Sequence, residues 1–434
     1  MFITLMIVVF VLGYAAIAFE HPIKIDKAAS ALITGVLVWT LFVFTGADTH
    51  FIEEELLHHL SEISSILFFL LGAMTIVELV DAHEGFAIIT DKITTTKKVR
   101  LLWIISVLTF FFSAALDNLT TSIVMISLLR KLIDDKHDRW FFAGIVVVAA
   151  NAGGAWSPIG DVTTTMLWIG NKVSTDMLIM YLIVPSLLCM AVPTFIASFT
   201  KPFQGDLAMD IETKEVEKHD TTYSSIMLYL GLGMILFVPI FKTVTHLPPY
   251  VGMMLSLGVV SAFAEIFSTR QFRMTSLGEH SSDAGHHSPV HKSLSKIEMP
   301  SVLFFFGILM AVAALESLGL LFNFAGTLNS TIPNSDVVVM LLGIGSAIID
   351  NVPLVAASLG MFQEPLNDPL WHFIAFSAGT GGSMLIIGSA AGVVAMGMEK
   401  ISFFWYFKKI SWLAFIGFAV GSVAFMVVRS LILG

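Results

Sequence analysis

Two Asp-Asn pairs stand in the middle of apolar runs: Asp117-Asn118 in FFFSAALDNLTTSIVMISLL (110–129) and Asp350-Asn351 in LLGIGSAIIDNVPLVAASLGM (341–361). A carboxylate at mid-bilayer costs about 2.5–3.5 kcal/mol even on the lenient insertion scale, so it is kept where it lines a cavity or binds something. After each run comes an apolar stretch with breaks in it. The first, NAGGAWSPIGD (151–161), carries Asn151 and Asp161 and leads into Thr163, Thr164 and Thr165; the second, GTGGSMLIIGSAAG (379–392), carries Thr380, Ser383 and Ser389. Paired glycines, with Pro158 in the first copy, interrupt the helical ladder and free backbone carbonyls, which at membrane depth only protein or a water-filled cavity can satisfy. Carboxylates, amides, hydroxyls and free carbonyls together are the hard oxygen donors that a cation such as Na+ needs. The expected main site is therefore Asp117, Asn118, Asn151 and Asp161 as Na+ ligands, with Thr163 and Thr164. Ser346, Asp350, Asn351, Ser383 and Ser389 make its partner half.

An interhelical hydrogen bond would account for any one of these hydroxyls or amides taken singly, and a fixed ion pair for an aspartate. Neither run and neither broken stretch contains a Lys or Arg, so the ion-pair reading has no partner at hand. The same lack argues against an anion as the ligand, although helix N-termini can substitute for a cationic side chain. Burial disfavours the charged form of a carboxylate, so a desolvated aspartate can exchange protons near neutral pH. Na+ (or Li+) and H+ would then compete for one carboxylate, and competition at a site opened to each side in turn is antiport. No cofactor beyond the transported ions is expected, and no enzymatic chemistry.

The elements that must hold these residues are membrane helices. The chain of 434 residues is 56% hydrophobic and only 13% charged, with a mean hydropathy of +0.86, which belongs with polytopic membrane proteins. The lipid bilayer is its partner, and its net charge of -10 gives no reason to expect nucleic acid. The N-terminal apolar stretch has no basic leader or small-residue cleavage site and is read as a first membrane helix. The single cysteine, Cys189, rules out an intrachain disulfide. Ten apolar stretches, at about 2–19, 28–45, 64–80, 140–170, 177–199, 223–243, 251–268, 300–328, 370–398 and 411–431, are long enough to cross. Residues 101–129 and 337–362 are left over.

Loop charge decides what the leftovers are. Both flanks of the first, 91–100 and 130–139, are basic, and both want the cytoplasmic side, which a single crossing cannot satisfy. A re-entrant hairpin with Asp117-Asn118 at its tip can. The flanks of the second, 327–336 and 363–368, lack Lys and Arg and belong outside, and threading the remaining loops leaves both termini external. Residues 51–63 have apolar side chains at helical spacing and suit an external interfacial helix. A repeat emerges: LFF at 67–69 recurs at 303–305, Asp117-Asn118 at Asp350-Asn351, and Gly153, Gly154 and Gly160 at Gly381, Gly382 and Gly388. The expected fold is all-α: two inverted repeats of five transmembrane helices plus one re-entrant hairpin each, with broken helices at the midplane. The repeats cover 1–205 (hairpin 101–130, broken helix 140–170) and 223–434 (hairpin 337–362, broken helix 370–398), joined by a cytoplasmic linker at 206–222. His280, His286, His287 and His291 sit in a polar loop that could sense pH, hold a metal or simply be solvated.

At SAALDNLTTSIVM (from Ser113), AANAGGAWSPIGDVTTTM (from Ala149), SAIIDNVPLVAA (from Ser346) and AGTGGSMLIIGSAAG (from Ala378) the chain resembles the ion transporter superfamily, and within it the NhaD-type Na+/H+ antiporters. In the related dicarboxylate:sodium symporters the first hairpin tip looks like Ser-Asn-Thr; Asp117-Asn118 at that place points to a cation as the cargo instead. The resemblance implies a homodimer in the bacterial cytoplasmic (inner) membrane, an elevator-like motion of the hairpins and broken helices, and functional roles for the eleven site residues named above. Ser389 stands where the first copy has Asp161, so the two half-sites are not equivalent. The alternative in the same superfamily is a Na+-coupled symporter or exporter of an organic or oxyanion substrate. An intramembrane aspartyl protease would also use two buried aspartates, but its Tyr-Asp and Gly-x-Gly-Asp motifs are absent at Asp117 and Asp161.

Overall fold

A computed structural model describes the chain apart from residues 19, 87, 89–92, 94, 208–220, 276–292, 294–296, 298, 333, 349 and 434. The four loop histidines and most of the 206–222 linker lie outside the described residues. The helices are α1 (Phe2–Ala18), α2 (Glu20–Ile23), α3 (Lys27–Val43), α4 (Thr49–Ala82), α5 (Lys98–Leu116), α6 (Asn118–Leu132), α7 (Lys136–Gly154), α8 (Val162–Ile169), α9 (Thr175–Ser198), α10 (Thr221–Thr245), α11 (Pro249–Thr275), α12 (Met299–Ser317), α13 (Leu320–Thr331), α14 (Ser335–Ser346), α15 (Asn351–Met361), α16 (Pro369–Gly381), α17 (Ala390–Glu399), α18 (Phe403–Lys409) and α19 (Ser411–Leu433). No strand occurs among the described residues. Seven helices among them are long and apolar enough to cross a membrane: α4, α5, α9, α10, α11, α12 and α19. Large apolar side chains such as Val36, Phe195, Val244 and Val423 stand exposed on the helices, a surface suited to lipid and not to water. The protein is a multi-pass membrane protein.

Two expectations about continuity are corrected. Residues 51–63 are not a separate interfacial helix, because 49–71 contain neither Gly nor Pro and run without interruption into the next span as the 34-residue α4. Residues 300–328 are not one crossing, since Gly319 adopts φ +67 and divides α12 from α13, a left-handed conformation that glycine accepts without steric cost.

The breaks that matter fall at the Asp-Asn pairs. Asp117 has φ 75 and Asp350 φ 23, positive values that Asp tolerates better than most residues. Asp117 ends the arm α5 and starts α6, whereas the arm α14 stops at Ser346 and Asp350 starts α15. The interrupted stretches that follow are α7 with α8, unwound over 155–161, and α16 with α17, unwound over 382–389. Glycine lets each arm touch its broken helix backbone to backbone. A methyl group on Gly153 would overlap the Phe110 carbonyl oxygen, and one on Gly381 the Gly343 carbonyl oxygen. Gly153→Ala or Gly381→Ala is therefore expected to destabilise the fold by about 2–3 kcal/mol, as overpacking against backbone does, measured as a lowered melting temperature of the detergent-purified protein.

The helices fall into two compact units that interleave in sequence: Met1–Leu67 with Thr96–Ala208 and Pro300–Gly434, and Phe68–Thr95 with Met209–Met299. In the second unit α10 and α11 pack as a pair, and Gly231 admits Val80 against α10. The first unit contains α5 to α8, α14 to α17 and every expected site residue.

Candidate cation site

Asp161 is the hub. It occupies the N-cap of α8 in extended conformation, where its Oδ1 accepts the Thr163 backbone N–H at 2.8 Å and the Thr163 hydroxyl at 2.7 Å. The start of a helix suits a carboxylate, because its first amides lack intrahelical partners and carry partial positive charge. From the first Asp-Asn pair, Asn118 donates its amide to Asp161 Oδ2 at 2.6 Å and to Asn151 Oδ1 at 3.0 Å. From the second, Asn351 donates to both Asp161 oxygens, at 3.3 and 3.2 Å. Asn151 in turn donates to the Ser389 hydroxyl at 2.8 Å, and Ser389 caps α17 by accepting the Gly392 N–H. Asn118, Asn151, Asp161, Thr163, Asn351 and Ser389 thus form one connected cluster, all of them buried. It draws on α6, α7, α8, α15 and the cap of α17.

The remaining expected residues lie outside this hydrogen-bonded cluster. Asp117 caps its own helix α6, accepting the Thr120 N–H at 2.7 Å and the Thr120 hydroxyl at 3.1 Å. The Thr164 hydroxyl donates to the carbonyls of Ser157 and Asp161, and that of Ser383 to Thr380, each adding a second donor to a carbonyl at the edge of an unwound stretch. Ser346 donates to the Ala378 carbonyl at 2.8 Å, tying α14 to α16. Sequence reasoning passes over its counterpart Ser113, which donates to Ala150 at 2.5 Å and ties α5 to α7. The signal is there, since both serines stand four residues before an Asp-Asn pair.

The expected lack of a positive partner needs one correction. Among the described residues no ion pair reaches Asp117 or Asp161, but the Lys27 ammonium lies 3.6 Å from Asp350 Oδ2. Lys27 is distant in the chain, on α3, and a search confined to the hairpins and broken helices could not find it. A second acid is also missed. Glu399, buried at the end of α17, accepts from Arg130 Nε at 2.7 Å and from Arg139 Nε at 3.1 Å, while its carbonyl accepts the Trp140 indole N–H at 2.9 Å. This clamp joins α6, α7 and α17 at the end away from the Asp-Asn tips.

A carboxylate held by four hydrogen-bond donors, with amide and hydroxyl oxygens beside it and no fixed cation, can take either a proton or a metal ion. Turning an asparagine amide over exchanges its donor for its acceptor, so the same two side chains have the N–H groups that a bare carboxylate needs and the oxygens that a cation would need. Comparison with known proteins agrees in kind: residues 7–371 match a family model described as "Citrate transporter". The chain belongs to the citrate transporter family. This citrate transporter family member is 44% identical over 98% of its length to "Sodium/proton antiporter 1" of Arabidopsis thaliana, covering 72% of that protein. It is 42% identical to "Sodium/proton antiporter 2" of the same plant, covering 98% of this chain and 99% of the relative. It is also 32% identical to the "Na(+)/H(+) antiporter NhaD" of Alkalimonas amylolytica, covering 96% and 89%. As a member of that family it is a transporter and not an enzyme.

Proposed function

We propose that the protein exchanges Na+, or Li+, for H+ across a membrane, with Asp161 as the carboxylate that the two ions share. The observation that carries this reading is the convergence of Asn118 and Asn351, one from each Asp-Asn pair, on a buried carboxylate that no Lys or Arg neutralises among the described residues. Asp117, Asn118, Asn151 and Asp161 supply the cation ligands; Thr163, Thr164, Ser346, Asp350, Asn351, Ser383 and Ser389 shape and tune the site. The matched contacts at Gly153 and Gly381, and at Ser113 and Ser346, support reading 1–205 and 223–434 as inverted copies with re-entrant hairpins at 101–130 and 337–362. Alternating exposure of a site between such copies is how transporters of this construction work. The names of its relatives speak for cation exchange over anion symport. We place the protein as a homodimer in the cytoplasmic (inner) membrane of a bacterium, with both termini external.

The test is the purified full-length protein in liposomes loaded with a pH-sensitive dye. Adding Na+ or Li+ is expected to move protons in the opposite direction. Since both ions seek one carboxylate, the apparent KM for Na+ should rise up to about tenfold per unit of acidification on the same side. Absence of Na+-driven proton movement, together with Na+-dependent uptake of a labelled di- or tricarboxylate, would replace the exchanger by a symporter.

A further inference from the structure

The two Asp-Asn pairs are alike in sequence and unlike in what they do with the carboxylate. Asp117 caps its own helix, because three residues on Thr120 offers both an N–H and a hydroxyl. The residue three after Asp350 is Pro353, which has no N–H to give, and the Asp350 side chain makes no capping hydrogen bond to α15. Beyond the nearby amides of Asn351 and Val352, its charge is answered by a partner from another element. That partner is Lys27, whose ammonium sits 3.6 Å from Asp350 Oδ2, with both side chains largely shielded from solvent, at 18% and 12% exposure. The face of the Phe304 ring backs the ammonium at 4.6 Å, an attractive placement for a cation.

Lys27 is not where helix stability would put a lysine. It is the first residue of α3, at the positive end of the helix dipole, where a cation is disfavoured. What the position provides is the reach to Asp350. Asp350 in turn is bonded in sequence to Asn351, which holds both oxygens of Asp161. Removing the ammonium would leave a second uncompensated negative charge beside the hub.

We propose that Lys27 is a tethered cation that occupies Asp350 in place of the transported ion, so that Asp161, and not the Asp161 and Asp350 pair, sets how tightly Na+ is held. Lys27 is in this sense a positioning residue for the second Asp-Asn tip and a determinant of cation affinity. The inference rests on the exchanger reading given above. Lys27 acts through its fixed charge and its position.

The experiment measures radioactive Na+ binding to the purified full-length protein and, in parallel, Na+-driven proton movement in liposomes. Lys27→Gln is expected to tighten Na+ binding by about tenfold, the scale of one added charge at short range in a partly screened site, and to lower turnover because the ion is released more slowly. Lys27→Arg should stay near wild type. The double variant Lys27→Gln with Asp350→Asn removes both charges and should return Na+ affinity to within about twofold of wild type, as compensating charges do. Unchanged or weaker binding in Lys27→Gln, or a tenfold or greater loss in the double variant, would overturn the proposal, the latter because Asp350 would then itself hold the ion. Should Lys27→Gln not fold, the double variant alone decides by the same criterion. A wild-type protein that binds no Na+ and moves no protons would instead refute the exchanger reading, so the two failures are separable.

Discussion

Asp161→Asn is expected to abolish Na+-driven proton movement while leaving the protein folded and membrane-inserted. The substitution keeps the size of the side chain and an oxygen to accept the Thr163 N–H, so α8 keeps its cap, and Asn is as good an N-cap as Asp. What disappears is the charge. Neither a cation nor a proton then gains from the site, and the charge-assisted part of the interaction, about 3 kcal/mol, corresponds to a loss of about 100-fold or more in apparent Na+ affinity. Two of the donors would face another amide: Asn118 and Asn351, which give their N–H groups to the carboxylate, must turn over or share a single acceptor oxygen in the variant. Proton flux in liposomes and the size-exclusion profile of the purified variant check the two halves of the expectation. Normal exchange by a folded variant would remove Asp161 from the centre of the mechanism.

Glu399→Gln is expected to have the largest effect on stability. The Glu399 carboxylate is 2% exposed and answers two guanidinium groups, one on α6 and one on α7. Breaking a buried charged network by removing one partner typically costs about 3–5 kcal/mol, because the remaining charges lose their compensation. Arg130 is half exposed and can turn to solvent, whereas Arg139 is only 18% exposed, so the lower end of that range applies. The loss should appear as a lower melting temperature. Because the clamp joins α6 and α7 to α17, far along the chain, it should also appear as slower exchange at unchanged Na+ affinity. A variant as stable and as fast as wild type would show that the clamp is decorative.

Residue order alone establishes that this is a multi-pass membrane protein, where its principal helices must break, and which residue types meet the broken ends. The cost of burying charge and of leaving backbone polar groups unpaired in lipid is high enough that Asp117-Asn118, Asp350-Asn351 and the two glycine-rich stretches are legible as candidate sites without any knowledge of packing. The break at Gly319 and the continuity of 49–71 are less legible. A single glycine in an apolar run does not announce its φ, and a helix that changes from amphipathic to apolar leaves no mark where it continues.

How the candidates divide the labour is visible only in three dimensions. Packing gathers Asn118, Asn151, Asp161, Thr163, Asn351 and Ser389 into one cluster, assigns Asp117 to capping its own helix, and turns Thr164, Ser346 and Ser383 to the backbone. It also pairs Asp350 with Lys27 and Glu399 with Arg130 and Arg139. The physical reason is common to all of these: a carboxylate's role depends on which donors and charges stand within a few ångströms of it, and here they arrive from helices far apart in the chain. Residue type and spacing can announce that a buried charge must be answered, but what answers it is settled by the fold.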